Sequence, residues 1–331
     1  MDNTPSERRA RSRELAAVFI TAFVMIGLYA IVQSTPVQDF WHGLWYDEPV
    51  AVSDLRRDLE LTSEAERIFL ATQPAIEDAI NFNEHCDSHR KDVSLLGCYT
   101  GGKMYVYEVQ LDSLRDSHKV TAAHELLHAI WSRLGDGERR EVEELLGEVE
   151  QTQPDWVIAE LELYNEKERL EELYTRAGTK LRTLPEKLEA HYAKYFRNRQ
   201  RIVDFYENYQ APFNELKQKN ADLKTKVEQL SAEIERGRNE YTTRLQKFNA
   251  ELATFNNCAN TEGCFKAMDV FLKQREALEN ERVSLENLRQ ELNRKIDENN
   301  TMVTEYQKNQ EALGELSNAL NSNFNKLEET N

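Results

Sequence analysis

Glycine and proline are scarce in this sequence. Twelve Gly and seven Pro among 331 residues supply too few turn-forming residues for an all-β protein of this length. Basic residues are also in deficit, with 42 Lys and Arg against 59 Asp and Glu and a net charge of −17. Because phosphate contacts need a basic surface, this balance argues against nucleic acid as a partner. We therefore expect a mostly helical α+β protein that does not bind nucleic acid.

Charged residues are absent from residues 15–32. A helix of this length spans about 27 Å, which is close to the thickness of a bilayer core. Four arginines precede the stretch, and the positive-inside rule places them in the cytoplasm: Arg8, Arg9, Arg11 and Arg13. A cleaved signal peptide is the alternative, but the run is longer than a usual signal core and its cleavage pattern is poor. The sequence therefore predicts a single N-terminal transmembrane helix that anchors the chain in a membrane, with a cytoplasmic N-terminus and an extracytoplasmic C-terminal part.

The four cysteines form two local pairs, Cys86 with Cys98 and Cys258 with Cys264. An even number of cysteines outside a membrane favours two structural disulfides, although three connectivities are formally open. The alternative is a metal site made by His85, Cys86 and His89. In an oxidising compartment, a thiol with a nearby partner favours the disulfide.

Helical periodicity covers most of the chain, and we predict helices over residues 53–82, 120–134, 138–150, 156–177 and 185–209. Between them, two apolar runs flank Gly101 and Gly102 and predict one β-hairpin. The predicted organisation is a cytoplasmic N-terminus (1–14), a transmembrane anchor (15–32), a linker (33–52), a small α+β domain (53–210) and a coiled-coil hairpin (211–331).

The hairpin is predicted from apolar residues that recur at steps of three and four on both sides of a break near residues 256–264. We expect an antiparallel pair within one chain, with Cys258 and Cys264 closing the loop and with Val227 facing Leu292. The second arm exceeds the first by roughly 30 Å, so its end should pack on the first domain. A parallel dimer, through self-association or with another coiled-coil protein, is the rival interpretation.

The motif that carries chemistry is His124-Glu125-Leu126-Leu127-His128. Two histidines at i and i+4 share one helix face and can bind one Zn²⁺, while the glutamate beside the first can take a proton from zinc-bound water. The alternative is a core helix that merely contains two histidines, but unpartnered polar groups there would be costly. The spacing therefore favours a zinc site with Glu125 as the catalytic base.

With this motif, residues 120–195 resemble the zincin metallopeptidases. A third histidine in the metzincin position is absent, and the resemblance is to the gluzincin, thermolysin-like branch. In that branch the third ligand is a glutamate of a later helix, and Glu172, followed by Thr175 and a Gly-Thr break, matches it. The resemblance thus implies Zn²⁺ held by His124, His128 and Glu172. The chain departs from the family at Arg176, where a supporting carboxylate is frequent, and at Glu171, where Asn is common.

The third ligand and the oxyanion donor are less sharply defined than the motif. The helical wheel places Glu172 on a polar face that either lines a cleft or is solvated, so other ligands stay open: Glu166, Glu168, Glu171, Glu189 or no further protein ligand. Gluzincins use a His or Tyr outside the zinc shell to steady the oxyanion, and the resemblance makes His191 the catalytic candidate. The alternative places His191 on the surface, beside core aromatic residues.

These observations predict a membrane-anchored, extracytoplasmic zinc metallopeptidase that hydrolyses a peptide or protein substrate. The alternative function is a non-catalytic cell-envelope scaffold, in which the coiled coil binds partners and the metal site is structural or vestigial. Substitution of Glu125 separates the two, because only an enzyme needs its proton transfer.

Overall fold

A computed structural model of the protein describes residue 25 and residues 35–86, 95–151, 161 and 164–324. The chain divides into two compact units. The first comprises Met1–Pro212 together with Ser317–Asn331, and the second comprises Phe213–Leu316. The HExxH motif belongs to the first unit, and most of the heptad pattern belongs to the second.

The first unit begins with three short helices, α1 (Thr35–Leu44), α2 (Val50–Asp58) and α3 (Ser63–Ala71). The buried carboxylate of Asp39 in α1 joins this layer to Arg133, which follows the helix that carries the HExxH motif. It accepts a hydrogen bond from Arg67 of α3 at 2.7 Å and forms an ion pair with Arg133 at 2.9 Å. Because both arginines converge on one carboxylate, α1 is fixed against the elements that carry the site.

A three-stranded sheet follows, formed by β1 (Ala75–Glu77), β2 (Gly97–Thr100) and β3 (Lys103–Tyr107) in the order β1-β3-β2. β2 and β3 form the predicted antiparallel hairpin. Gly101 and Gly102 have φ values of 58° and 80°, which is the left-handed region that a tight hairpin turn requires. The helix α4 (Ala79–His85) leads from β1 toward the hairpin.

The sequence prediction missed β1, because a helix was expected over residues 53–82. β1 has three residues and pairs in parallel with β3. Pro74 precedes it, and the Asp78 side chain caps α4 immediately after it, so the helical periodicity is interrupted for too short a stretch to be recognised. The sheet therefore has one strand more than the predicted hairpin.

The core of the first unit is built around α5 (Asp116–Trp131), which packs on α3, β2, β3 and α7 (Glu166–Lys180). The helix α6 (Asp136–Glu150) packs on α7 and on α8 (Glu186–Tyr192). Gly178 permits the close approach of α7, because a Cβ at this position would lie 2.5 Å from Leu127 and 2.9 Å from Tyr192. The tight contact of α5 with α7 positions the site described below.

The predicted helix over residues 185–209 is divided in two. α8 ends at Tyr192, and the long helix α9 (Arg199–Ala259) begins at Arg199. Between them, Phe196 forms an isolated β-bridge with Leu61, and the backbone N–H of Thr62 donates to the Tyr195 carbonyl. This pairing with a distant segment interrupts the helix, and periodicity alone does not reveal it.

Both disulfides form in the expected pairs. Cys86 is bonded to Cys98, which ties the end of α4 to β2, and Cys258 is bonded to Cys264. With Cys86 in a disulfide, the alternative metal site of His85, Cys86 and His89 is excluded. Residue 89 lies outside the described residues. The His85 ring stacks on Tyr105 and its Nδ1 lies 2.9 Å from Glu77.

The second unit contains the rest of α9 and most of α10 (Met268–Ala319). Their side-chain pairs show an antiparallel arrangement within one chain: Lys295 contacts Glu233 and Arg244 contacts Glu281. The expected register is wrong. Leu292 lies over Gly237, where a Cβ would be 2.6 Å from the leucine, and it does not face Val227. The loop between the two helices begins after Ala259, and α10 begins at Met268. Counting residues outward from Cys258 and Cys264 therefore gave the wrong partner for Leu292.

None of the helices in the described part of the chain is long and apolar enough to cross a membrane. The motif helix α5 has 16 residues and includes Asp116, Lys119 and Glu125, and charged residues recur throughout α9 and α10. The expected span, residues 15–32, lies outside the described residues except for Met25. The predicted fold class with its transmembrane helix, and the predicted single-pass membrane location, are therefore wrong for the part that the structure describes. The fold there is mostly helical with a small three-stranded sheet.

Candidate metal centre

The two motif histidines lie one turn apart on α5. Their rings meet edge to face, with centroids 4.9 Å apart, and the two Nε2 atoms are separated by 3.2 Å. The neighbouring residues of α5 are buried in the hydrophobic core: Ala122, Ala123, Leu126 and Leu127. Because these apolar side chains fix the rotation of α5, His124 and His128 are held on the face that meets α7.

The third group of the site comes from α7. Asn165 caps this helix by accepting a hydrogen bond from the backbone N–H of Glu168. Leu173 and Ala177 are buried, while the polar face of α7 lies against the histidines. Glu172 Oε2 is 3.7 Å from His124 Nε2, and Glu172 Oε1 is 3.5 Å from His128 Nε2. Among the candidate glutamates whose side chains the structure describes, Glu172 contacts both rings.

The spacing of these atoms matches a metal shell. Ligand atoms of His124, His128 and Glu172 all lie within 4.8 Å of one another. Donors about 2.0–2.2 Å from a tetrahedral Zn²⁺ are separated by about 3.3–3.6 Å, and the observed separations are 3.2, 3.5 and 3.7 Å. Glu172 Oε2 is also buried and forms no hydrogen bond, and its charged neighbours are His124 and Arg176. Two imidazole nitrogens and one carboxylate oxygen are a zinc donor set, so the residues fit this metal.

Glu171 contacts the other side of the His128 ring from Glu172. Its Oε1 atom lies 2.8 Å from His128 Nδ1, so the proton of this ring is held on Nδ1 and Nε2 points toward Glu172. Carboxylates commonly orient zinc-binding histidines in this way. Glu171 departs from the family pattern in the sequence, and in the structure its carboxylate contacts His128. In the sequence, only the presence of two adjacent glutamates, Glu171 and Glu172, pointed to this contact.

Glu125 is buried between α5 and the edge strand β2. A Cβ on Gly97 would lie 2.9 Å from both Cγ and Oε1 of Glu125, so only glycine allows β2 to lie this close. The backbone of Tyr99 in the same strand forms a hydrogen bond with the carboxylate. The predicted base therefore lies beside the histidines, with its side chain positioned by β2.

Burial and neighbouring charges shift the pKa of three groups in the site, His124, Glu125 and His128. Burial lowers the pKa of His124 well below its ordinary value, and the charges of His128 and Arg176 lower it further. Burial also acts to lower the pKa of His128, but its contacts with Glu171 and Glu172 outweigh this effect and raise the pKa to about 10. Burial raises the pKa of Glu125 to about 7. The carboxylates of Glu171 and Glu172 thus favour positive charge on the His128 ring.

Two cationic side chains continue the polar face of α7 beyond Glu172. Arg176 Nε lies 3.4 Å from Glu172 Oε2, and its guanidinium carbon lies 5.6 Å from the centre of the Tyr164 ring. One turn further, Lys180 Nζ lies 5.5 Å from the centre of the Tyr206 ring. The site is therefore bordered by positive charge and aromatic rings on this side.

His191 does not join the other predicted site residues. It is 5% exposed and lies among aromatic rings, where its Nε2 atom is 2.9 Å from the Tyr174 hydroxyl. Its Nδ1 atom lies 3.4 Å from Glu138. Among the described residues, no recorded contact links His191 to the metal-binding group. The helical pattern of α8 identified a histidine but could not specify that it faces α6 and α7.

Comparison with protein-family models, with curated proteins and with solved structures found no match to this chain.

Proposed function

We propose that the protein is a zinc-dependent peptidase of the gluzincin type. The observation that supports this most strongly is the tetrahedral-like spacing of His124, His128 and Glu172, together with a buried glutamate next to the first histidine. A structural zinc site is usually closed by four protein ligands. The described part of the chain instead supplies three ligands and an adjacent carboxylate, which fit a site that activates water.

In this proposal, the two histidines and Glu172 would hold Zn²⁺, which would polarise the scissile carbonyl and lower the pKa of a bound water. Glu171 keeps His128 in the tautomer that presents Nε2. Glu125 accepts the proton of the attacking water and passes it to the leaving amine. Its hydrogen bond with the Tyr99 backbone holds the carboxylate in place for both transfers.

The position of β2 supports a peptide as the substrate. In the described sheet, β2 is an edge strand that pairs on one side with β3, and its residues Gly97 and Tyr99 lie next to Glu125. Extended peptides commonly bind by adding to such an edge. A peptide aligned along β2 would bring its backbone carbonyls close to the catalytic base.

The experiment is hydrolysis of a mixed fluorogenic peptide library by the zinc-loaded full chain and by Glu125→Gln. We expect the substitution to lower the rate at least about a hundredfold, because general-base catalysis contributes on that scale, while zinc stays bound. Glu144→Gln removes an exposed glutamate of α6 and should cleave at the parent rate. Equal rates for the parent and Glu125→Gln would refute the peptidase.

A second candidate is a non-catalytic protein in which the metal stabilises the first unit and the hairpin binds partners. The exposed apolar side chains of Met268 and Leu272 near the hairpin loop favour it, since they are 71% and 51% exposed. For this candidate, Glu125→Gln should change neither zinc content nor any activity. Substitution of both apolar residues by serine should abolish partner binding.

A further inference from the structure

The strand that lies against Glu125 is short. β2 has four residues and pairs, in the described sheet, on one side with β3. A short edge strand makes few backbone hydrogen bonds, and such segments open locally more often than central strands. The fit of this strand against α5 is close, since a Cβ on Gly97 would lie 2.9 Å from Glu125 Oε1. A further attachment of β2 would therefore act directly on the position of Glu125.

Cys98 supplies such an attachment. It lies between Gly97 and Tyr99, the two residues of β2 that are next to Glu125. Successive residues of a strand face opposite sides, so Cys98 lies on the face of β2 that is turned away from α5. Its disulfide with Cys86 thus holds β2 from the side opposite Glu125.

The other end of this bond is firmly anchored. Cys86 is 3% exposed and immediately follows α4. In α4, Phe82 is fully buried, and its ring packs against Tyr107 of β3 with ring centres 5.7 Å apart. Asn83 exchanges two hydrogen bonds with Ser322, each of 3.1 Å. The disulfide therefore joins β2 to a helix whose own position is fixed by packing and hydrogen bonds.

β2 is also held by noncovalent contacts. Among them are the antiparallel ladder with β3 and a hydrogen bond that Arg133 Nη1 donates to the Tyr99 hydroxyl at 3.0 Å. Hydrogen bonds of this kind break and re-form in the folded state, whereas a disulfide opens only by chemical exchange. Of the attachments of β2 that the structure describes, the bond between Cys86 and Cys98 is the one that a change of redox conditions can release.

We propose that Cys98 is a positioning residue for Glu125, acting through its disulfide with Cys86, and that reduction of this bond slows hydrolysis. The inference rests on the proposed peptidase function and specifies how that site is regulated. With the disulfide intact, β2 keeps its backbone hydrogen bond with Glu125 and shields the buried carboxylate from bulk water. With the disulfide reduced, β2 separates more often from α5. The carboxylate then spends less time in the position where it can take the proton of the attacking water.

The reduction is an exchange with a dithiol. One thiolate of the dithiol attacks Cys98 Sγ, the S–S bond breaks, and Cys86 leaves as a thiolate that takes up a proton. The second thiolate then attacks the reductant sulfur bound to Cys98, forms the disulfide of the reductant and releases Cys98 as the second thiol. The protein gains two electrons and two protons, and the dithiol loses both. Attack at Cys98 is favoured because this residue is partly exposed, whereas Cys86 is buried.

The first experiment compares hydrolysis of the fluorogenic peptide library by zinc-loaded full chains. Cys86→Ala with Cys98→Ala removes the bond, and we expect the rate to fall about tenfold, which is part of the loss that follows when a general base is absent. Cys258→Ala with Cys264→Ala removes the other disulfide and should retain the parent rate. Zinc content should be equal in the three proteins.

A second comparison isolates the effect on Glu125, because a disulfide also stabilises a folded protein in general. Cys86→Ala with Cys98→Ala is introduced into the Glu125→Gln protein. If the bond acts through Glu125, its removal should not lower the residual rate any further there. A loss of folded protein would instead lower both rates by the same factor.

Hydrogen–deuterium exchange provides a readout that does not depend on activity. Loss of the bond between Cys86 and Cys98 should speed the exchange of the protected backbone amides in residues 97–107 about tenfold, while exchange in α7 stays unchanged. This change would show that the bond fixes β2 and its partner strand locally.

Reduction of the parent protein by a phosphine should reproduce both effects, and reoxidation should reverse them. A phosphine is used because the thiolates of a dithiol also bind zinc. It converts the disulfide to two thiols and becomes a phosphine oxide with an oxygen atom from water. The protein with Cys258→Ala and Cys264→Ala should respond as the parent does, since it keeps the bond at Cys98. If the alanine pair at Cys86 and Cys98 does not fold, this treatment of the folded parent still decides.

Three results would overturn the positioning role. They are equal hydrolysis with and without the bond, an equal loss with and without Glu125→Gln, and unchanged hydrogen exchange in residues 97–107. A parent protein that cleaves peptides but does not respond to loss of the bond refutes this inference alone. A parent protein without zinc and without cleavage refutes the proposed function.

Discussion

His128 Nδ1 and Glu171 Oε1 lie 2.8 Å apart, and this contact fixes which ring nitrogen of His128 faces the metal centre. A free imidazole can present either nitrogen to a metal. Because Glu171 holds Nδ1, the Nε2 atom is left 3.5 Å from Glu172 Oε1. Two neighbouring glutamates of one helix thus make different contacts, and in the proposed site Glu172 would be a ligand and Glu171 an orienting group.

The first prediction concerns this orienting contact. Glu171→Gln keeps a weaker acceptor in place of the carboxylate, and loss of such a supporting group typically lowers metal affinity about 10- to 100-fold. Zinc affinity, measured by competition with a chromophoric chelator, should fall by this amount, while saturating zinc should still fill the site. Glu168→Gln changes an exposed glutamate of the same helix and serves as the control. An unchanged affinity in Glu171→Gln would show that the contact does not support the metal.

The second prediction concerns β2, the strand that lies against Glu125, the proposed catalytic base. A Cβ on Gly97 would lie 2.4 Å from Thr121 Cγ2 and 2.9 Å from Glu125 Oε1. Gly97→Ala should therefore displace β2, lower the free energy of unfolding by about 1–3 kcal/mol and reduce hydrolysis. The measurements are urea unfolding and peptide cleavage.

Two further variants test whether the close contact of residue 97 with Thr121 causes the loss of stability. Gly147 lies in α6 with no atom within 4 Å of an added Cβ, so Gly147→Ala should stabilise the protein by about 0.5–1 kcal/mol. Thr121→Ser removes the methyl group that the new Cβ would meet, and combined with Gly97→Ala it should recover part of the lost stability. Equal stability of Gly97→Ala and the parent protein would contradict the close packing of β2.

The third prediction is a pH dependence of stability that arises away from the metal centre. The Val109 backbone N–H donates to His118 Nε2 at 2.6 Å. Burial lowers the pKa of His118 to about 4, with further contributions from Arg115 and Lys119. Between this value and the ordinary pKa of about 6.5, the unfolded chain binds more protons than the folded chain. The stabilisation is therefore complete above about pH 6.5 and is lost as the pH falls toward 4.

Urea unfolding at pH 7 and pH 5 checks this sign. His118 is partly exposed, so we expect its contribution to the loss on acidification to be about 1 kcal/mol. His118→Gln supplies an amide oxygen as the acceptor and should remove this part of the loss. His42→Gln, on an exposed position of α1, should leave it unchanged. A loss at pH 5 in His118→Gln that equals or exceeds the loss in the parent protein would contradict the assignment.

Sequence reasoning was most informative where spacing alone determines geometry. The i, i+4 interval places His124 and His128 on one helix face whatever packs around them, and the pattern around Glu172 led to the residue that the structure brings to both rings. The glycine pair at residues 101 and 102 likewise identified a hairpin turn, because few other residues adopt its backbone angles.

Features that depend on contacts between distant segments could not be predicted in the same way. β1 is too short to show a period, and its pairing with β3 is long-range. The contact of Glu171 with His128 spans 43 residues. His191 shows the same limit, because its helix pattern gave no indication that it would contact Tyr174. These residues required the packing of α5, α6 and α7 to be known.

The most direct test of the central claim is the zinc content of the purified full chain by elemental analysis. We expect about one zinc ion per chain in the parent protein and in His42→Ala, and almost none in His124→Ala or Glu172→Ala, since each of these removes one of three protein ligands. Equal zinc in all four proteins, or no zinc in the parent protein after incubation with the metal, would contradict the assignment of His124, His128 and Glu172 as a metal centre.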